Sequence, residues 1–266
     1  MYRLLRTLTL SLAAALAAGA AHAQECQPLY LVFAAGDMHN ARLMAQVLSR
    51  VQVQATFFAG NSPTKDGDAV LSRTWGDWWR QRADDGHALA VQPWDMPLLR
   101  GDLPGKHGGG FRVKLQTGVM AGREFSWDAD RYCQALDESA EWLGFYSDRA
   151  VLPLFHAPGG VVTPRLDKAT RACGYAHVPW PAQFIAGDGA SGEEILRRAF
   201  EGGALQPGAI VLAHLGAWQG QGDEDVMAVA ELLENAKRRG YCFHTLDKHP
   251  DYQQWVARHS TAKARN

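Results

Sequence analysis

Short apolar runs recur along the chain, and the segments between them place apolar residues at helical spacing. The runs that read as strands are "LYLVFA" (29–34), "ATFFAG" (55–60), "HALAVQ" (87–92), "VLPLFHA" (151–157), "YAHVPW" (175–180), "AIVLAHL" (209–215) and "YCFHTL" (241–246). Helices are predicted at 38–50, 73–85, 127–144, 164–173, 192–201 and 223–239. Thr163-Pro164 supplies an N-cap followed by proline at the first helical position, and Gly174 closes that helix. Ser191 and Glu194 have capping-box spacing, and Gly240 follows the basic turn "AKRR". Strand and helix in alternation predict a parallel sheet covered by helices. Seven such strands fit either a closed or partly open barrel or a doubly wound sheet. Residues 98–126, with "GKHGGG" at 105–110, read as a long loop over one end of the sheet.

The N-terminus changes the picture of where the protein works. Residues 1–23 have a charged start (Arg3, Arg6), a Leu/Ala run and "AHA" before Gln24, the pattern of a secretory signal peptide. The apolar run is short for a membrane span. An uncleaved anchor and a lipoprotein rank below cleavage, because Cys26 lies beyond the cut rather than directly after it. The expected plan is a signal peptide (1–23), one domain (24–250) and a C-terminal tail (251–266), exported to a periplasm or secreted. Of 27 Lys and Arg, two lie in the leader; 28 Asp and Glu leave the mature chain mildly acidic. With no basic block, nucleic acid and acidic membranes are excluded as expected partners.

Four cysteines, Cys26, Cys133, Cys173 and Cys242, fall after the leader, and no CxxC spacing marks a metal knuckle. In an oxidising compartment they can form two disulfides, with three pairings open. Topology favours Cys26–Cys242, because a barrel sets its first strand beside its last. It also favours Cys133–Cys173, whose helices flank strand 151–157.

Seven segments, in order, resemble the polysaccharide deacetylases, the NodB-like domain of carbohydrate esterase family 4. "LVFAAGD" stands where that family has T-F-D-D-G, and "VQATFFAGN" is similar to its next strand. "ADDGHALAVQPWDMPLL" resembles the segment carrying H-x-x-x-H, and "LFHAPGG" the f-R-x-P-x-G motif. "GYAHVPW", "QPGAIVLAHL" and "LLENAKRRGYCFHTL" resemble the remaining strands and the closing helix. The match spans about Leu29 to Leu246. It implies a distorted (β/α)7 barrel and, for the family, metal-dependent removal of acetyl groups from N-acetylated glycans.

The positions that carry the family's chemistry are altered. By position, the general base becomes Ala34, the metal-binding aspartate Ala35, and the two metal-binding histidines Gln92 and Met96. The motif arginine becomes His156, and only the general-acid histidine is kept, as His214. Alanine has no donor atom, a thioether is too soft for a hard hydrolytic ion, and an amide oxygen is a weak ligand. Without a carboxylate at 34 nothing stands ready to deprotonate water. The expectation is a non-catalytic protein, without a cofactor, that binds an N-acetylated polysaccharide or envelope component. The alternative is a divergent deacetylase with a rebuilt site using His156, His214, Asp37 and Asp95, which alone would need a zinc-type ion. Asp37 reads as the cap of a helix beginning near Met38, with His39 exposed on its first turn, and Asp95 as a turn residue in "PWDMP". Trp94, Trp180 and Trp218 sit at strand ends where they could stack on sugar rings, whereas Trp75, Trp78 and Trp79 read as core.

Overall fold

A computed structural model describes residues 26–105, 109–179, 184–186, 205–216 and 223–263, with a few single positions between 194 and 203. The chain begins with β1 (Gln27–Asp37), α1 (Ala41–Val51) and β2 (Thr56–Thr64), then α2 (Gly76–Asp84) and β3 (Ala88–Val91). A small excursion follows, of β4 (Pro97–Leu103), β5 (Gly110–Leu115) and β6 (Glu124–Trp127), and leads into α3 (Ala129–Ser147). The remaining elements are β7 (Leu154–Phe155), α4 (Pro164–Ala172), β8 (Ala176–His177), β9 (Phe184–Ala186) and β10 (Ile210–His214). Last come α5 (Asp223–Arg238), β11 (Tyr241–Phe243) and α6 (Gln253–Lys263).

The main sheet is parallel, in the order β8-β7-β3-β2-β1-β10-β9, and β11 pairs with the first residues of β1. This is the expected α/β architecture, a distorted barrel. Its strands are apolar on both faces because both are covered. Leu29, Leu31, Phe33 and Ala35 of β1 enter the core under the helices, with Met44 and Leu48 of α1, Trp79 of α2 and Leu232 of α5. The alternate residues, Tyr30, Val32 and Ala34, enter a smaller interior core with Phe58, Ala90, Leu154 and Leu212. Trp75, Trp78 and Trp79 are buried in the helix-side core, and the Trp79 indole N–H donates to the Val70 carbonyl at 2.9 Å.

Three readings need correction. Residues 98–126 are not simply a loop, since β4, β5 and β6 form an antiparallel sheet there. The alternation of buried and exposed residues in "GFRVKL" is the strand signal, masked by the surrounding glycines. Residues 251–263 are not a tail outside the domain. Tyr252, just before α6, and Val256 within it enter the interior core, and the Trp255 indole donates to the Pro153 carbonyl at 3.1 Å. Asp37 does not cap α1, which begins four residues later; its carboxylate accepts the His39 N–H at 3.1 Å, and Asn40 takes the N-cap position. The helix read at 192–201 falls largely outside the described residues.

Both disulfides pair as topology suggested, Cys26 with Cys242 and Cys133 with Cys173. Two stability outcomes follow. Replacing Cys133 and Cys173 by serine opens a closed loop of 40 residues, and denaturant unfolding should record a loss of roughly 4 kcal/mol. Tyr252→Ala leaves a void in the interior core beside His249 and should cost about 3 kcal/mol in the same measurement.

Candidate functional site

Residues two apart on a strand share a face, so the interior row of each strand can be followed to its C-terminal tip. Two residues past Ala90, Leu154 and Leu212, that row reaches Gln92, His156 and His214. Register brings them together with Ala34. Ala34 stands opposite His214 across the β1–β10 pair and opposite Phe58 across β1–β2. The Gln92 N–H donates to the Ala59 carbonyl at 2.8 Å, and the His156 N–H to the Val91 carbonyl at 3.0 Å. The Phe58 and His156 rings stack with centroids 3.6 Å apart and planes 6° from parallel.

Ala35 departs from this arrangement. It packs with Phe33, Phe57 and Ala59 in the helix-side core, on the face of β1 opposite Ala34. The two alanines therefore do not share one opening.

The end of the barrel where Ala34, Gln92, His156 and His214 meet is edged by unusual backbone. Asp37 and Met38 have φ of 57° and 62°, and Asp95 and Met96 have φ of 58° and 50°. A left-handed conformation is uncommon for residues other than glycine, and such strain persists only where the surroundings over-determine it. Here the surroundings are visible. Asn40 donates its side-chain amide to the Gly216 carbonyl at 3.0 Å and its N–H to the Leu215 carbonyl at 2.9 Å, locking the tips of β1 and β10 together. The Asp95 carbonyl accepts the N–H groups of Gln116 and Thr117, which ties the β3 tip to the end of β5.

Burial decides the charge of the site. His214 has its pKa lowered to about 4 by burial. His177, on β8, is likewise lowered to about 4, mainly by burial and with help from Arg171, while Asp167 opposes the fall. His156 is fully buried and lies well below the ordinary imidazole range, through burial and then through His177 and His214. At neutral pH all three are neutral. A neutral imidazole keeps one N–H but is a far weaker acid than imidazolium, so burial works against His214 as a general acid. Asp95 moves the other way, its carboxyl raised by burial, while Arg131 and a hydrogen bond from Asn61 oppose the rise.

The sequence-predicted residues thus divide. Ala34, Gln92, His156 and His214 meet at one end of the barrel, and Asp37 and Asp95 lie half-buried on its rim. Met96 is half-buried in the strained loop. Trp94 packs against the main core, its N–H donating to the Ala135 carbonyl at 2.8 Å. Trp180 and Trp218 lie outside the described residues. His177, Asn40, Asn61 and Arg131 are additions that no motif marked, because tertiary packing alone brings them near. His87 proves structural: its Nδ1 accepts the Ala55 N–H at 3.0 Å, and its pKa is lowered to about 4, mainly by burial.

A zinc-type ion of the deacetylase kind does not fit this donor set. The interior row offers methyl groups, an amide and imidazoles, but no carboxylate. Among the described residues the one grouping of His, Cys, Asp or Glu with ligand atoms close enough for an ion is Cys26, Cys242 and His244, at the opposite end of β1.

No family model matches the chain, and no curated protein matches it. Solved structures do. The family 4 esterase domain of a multidomain xylanase from the hindgut metagenome of Trinervitermes trinervoides superposes with a TM-score of 0.61 at 18% identity, covering 86% of this chain and 92% of that one. A family 4 carbohydrate esterase of Bacillus subtilis gives 0.59 at 19% identity, covering 86% and 82%. A family 4 pseudoenzyme from Bacillus anthracis gives 0.57 at 15% identity, covering 86% and 66%. The chain has the fold of the polysaccharide deacetylases.

Two outcomes test the site. Each histidine near pH 4 has a folded-state pKa below its unfolded value of about 6.5, so the unfolded chain binds more protons between those values. Stability is fully present above about pH 6.5 and should fall as pH drops towards 4, by up to roughly 3 kcal/mol for each of His87, His177 and His214. Urea melts across this range should show the decline, and His214→Gln should flatten it. Separately, Ala35→Asp places a carboxylate in the apolar helix-side core and should cost about 3–5 kcal/mol. An Ala35→Asp protein of unchanged stability would contradict the placement of that side chain.

Proposed function

We propose that this chain is an exported, non-catalytic glycan-binding protein built on the polysaccharide deacetylase fold. The observation that carries this reading is the interior row Ala34, Gln92, His156 and His214. The resemblance would match Ala34 to the base, Gln92 to one metal-binding histidine and His214 to the acid, and no residue of this row carries a carboxylate. A scaffold can outlive its chemistry, and function has to be argued from the site. The retained, strained rim supports binding over mere structural survival, since Asp37, Met38, Asp95 and Met96 keep backbone that is costly to maintain. Export is supported by the leader pattern and by two disulfides, and no helix among the described residues is long and apolar enough to cross a membrane.

The ligand we infer is an N-acetylated polysaccharide. Similar structures include a peptidoglycan N-acetylglucosamine deacetylase, and both a family 4 pseudoenzyme and a mutant of it with restored enzymatic activity share the fold. A rebuilt hydrolytic site is less well supported. His156 is sealed against Phe58, His214 is neutral, and Asp37 spends its carboxylate on the adjacent backbone.

Metal analysis of the purified mature protein should find no stoichiometric zinc or cobalt, and chitin oligosaccharides should release no acetate above the buffer rate. Calorimetry with the same oligosaccharides should show binding, weakened about fivefold by His214→Ala, the loss of one net hydrogen bond. Stoichiometric metal with acetate release would overturn the non-catalytic reading. Absence of glycan binding, with capture of one specific envelope protein, would overturn the ligand.

A further inference from the structure

At the end of β1 remote from Ala34, the Cys26–Cys242 disulfide has a neighbour that the other disulfide lacks. Cys242 and His244 are two residues apart on an extended segment, so their side chains leave the same face. Cys242 Sγ lies 3.4 Å from His244 Nε2. Cys26 Sγ completes the group, with all three atoms within 4.8 Å of one another. Cys26 and His244 are exposed and Cys242 is half-buried. The Cys133–Cys173 bond is different. Cys133 is buried, and the two sulfurs lie against the carbonyl oxygens of Ala169 and Thr170, at 3.9 and 3.3 Å.

Thiol–disulfide exchange begins when a thiolate attacks one sulfur and expels the other, and it quickens as the leaving sulfur becomes a better leaving group. Access selects Cys26 as the sulfur attacked. Cys242 is then the one that leaves, directly beside an imidazole able to protonate it. We propose that Cys26–Cys242 is an exchange site for small thiols of the glutathione class, with His244 as the acid that protonates the departing Cys242 sulfur.

The step balances without another reagent. The incoming thiolate forms a bond to Cys26 Sγ and the Cys26–Cys242 bond breaks. Its electron pair passes to Cys242 Sγ, which takes the Nε2 proton of protonated His244; solvent returns that proton. The products are a mixed disulfide on Cys26 and a thiol at Cys242. A second small thiol attacks the mixed disulfide, freeing Cys26 as a thiol and leaving the two small molecules joined. Two thiols are oxidised and the protein disulfide is reduced by two electrons. Opening the bond releases a covalent tie between β1 and β11, whose remaining register is the three pairs Gln27–Tyr241, Pro28–Cys242 and Leu29–Phe243.

The test is to incubate the oxidised protein with excess reduced glutathione, block free thiols at intervals, and map the peptides by mass spectrometry. Cys26–Cys242 should open at least about tenfold faster than Cys133–Cys173, with the glutathione adduct on Cys26. His244→Phe and His244→Gln, both at an exposed position, should slow that opening several-fold and leave the rate at Cys133–Cys173 unchanged. Exposure alone would make the first bond faster but would not make it depend on His244. Wild-type rates in both His244 variants, equal rates at the two disulfides, or an adduct on Cys242 would overturn the proposal.

Discussion

The burial of β1 on both faces is the constraint on which the rest of this molecule depends. Its odd-numbered residues close the core beneath α1, α2 and α5, and its even-numbered residues line the interior that Val256 of α6 also enters. A strand so placed can hold no charge along its middle without a partner. Chemistry is therefore confined to its two ends. At one end lie Ala34 and His214, and at the other the disulfide of Cys26 and Cys242.

Burial also limits what the strand tips can hold, since a polar group there costs free energy unless it is paired. Ala34 and the stacked Phe58–His156 pair occupy the tips of the interior row, and desolvation lowers the pKa of His156, His177 and His214. Asn40, Gly216 and the Asp95 carbonyl brace the left-handed turns at the strand tips.

Much of the fold was legible in local pattern. Apolar runs separated by helical periodicity specify alternating strands and helices, and alternation specifies a parallel sheet. The disulfides were legible once that order was known, since topology sets which cysteines meet. The small β4–β5–β6 sheet was hidden because glycines dilute its alternation, and α6 was hidden because a short, polar-looking helix reveals its role only through what it covers. Asp37 misled for a related reason: a cap and a two-residue side-chain turn use the same carboxylate and differ only in where the helix begins.

Residue identity alone set the order of elements and the donor atoms available at each strand tip, because donor chemistry belongs to the side chain. Only the tertiary structure decided which of those residues share a face. Ala34 and Ala35 are neighbours in sequence yet lie on opposite sides of β1, because successive side chains on a strand alternate. His156, just past β7, His177 on β8 and His214 on β10 are brought near one another and their pKa values lowered, because charge state depends on burial, and burial is set by packing between segments far apart in the chain.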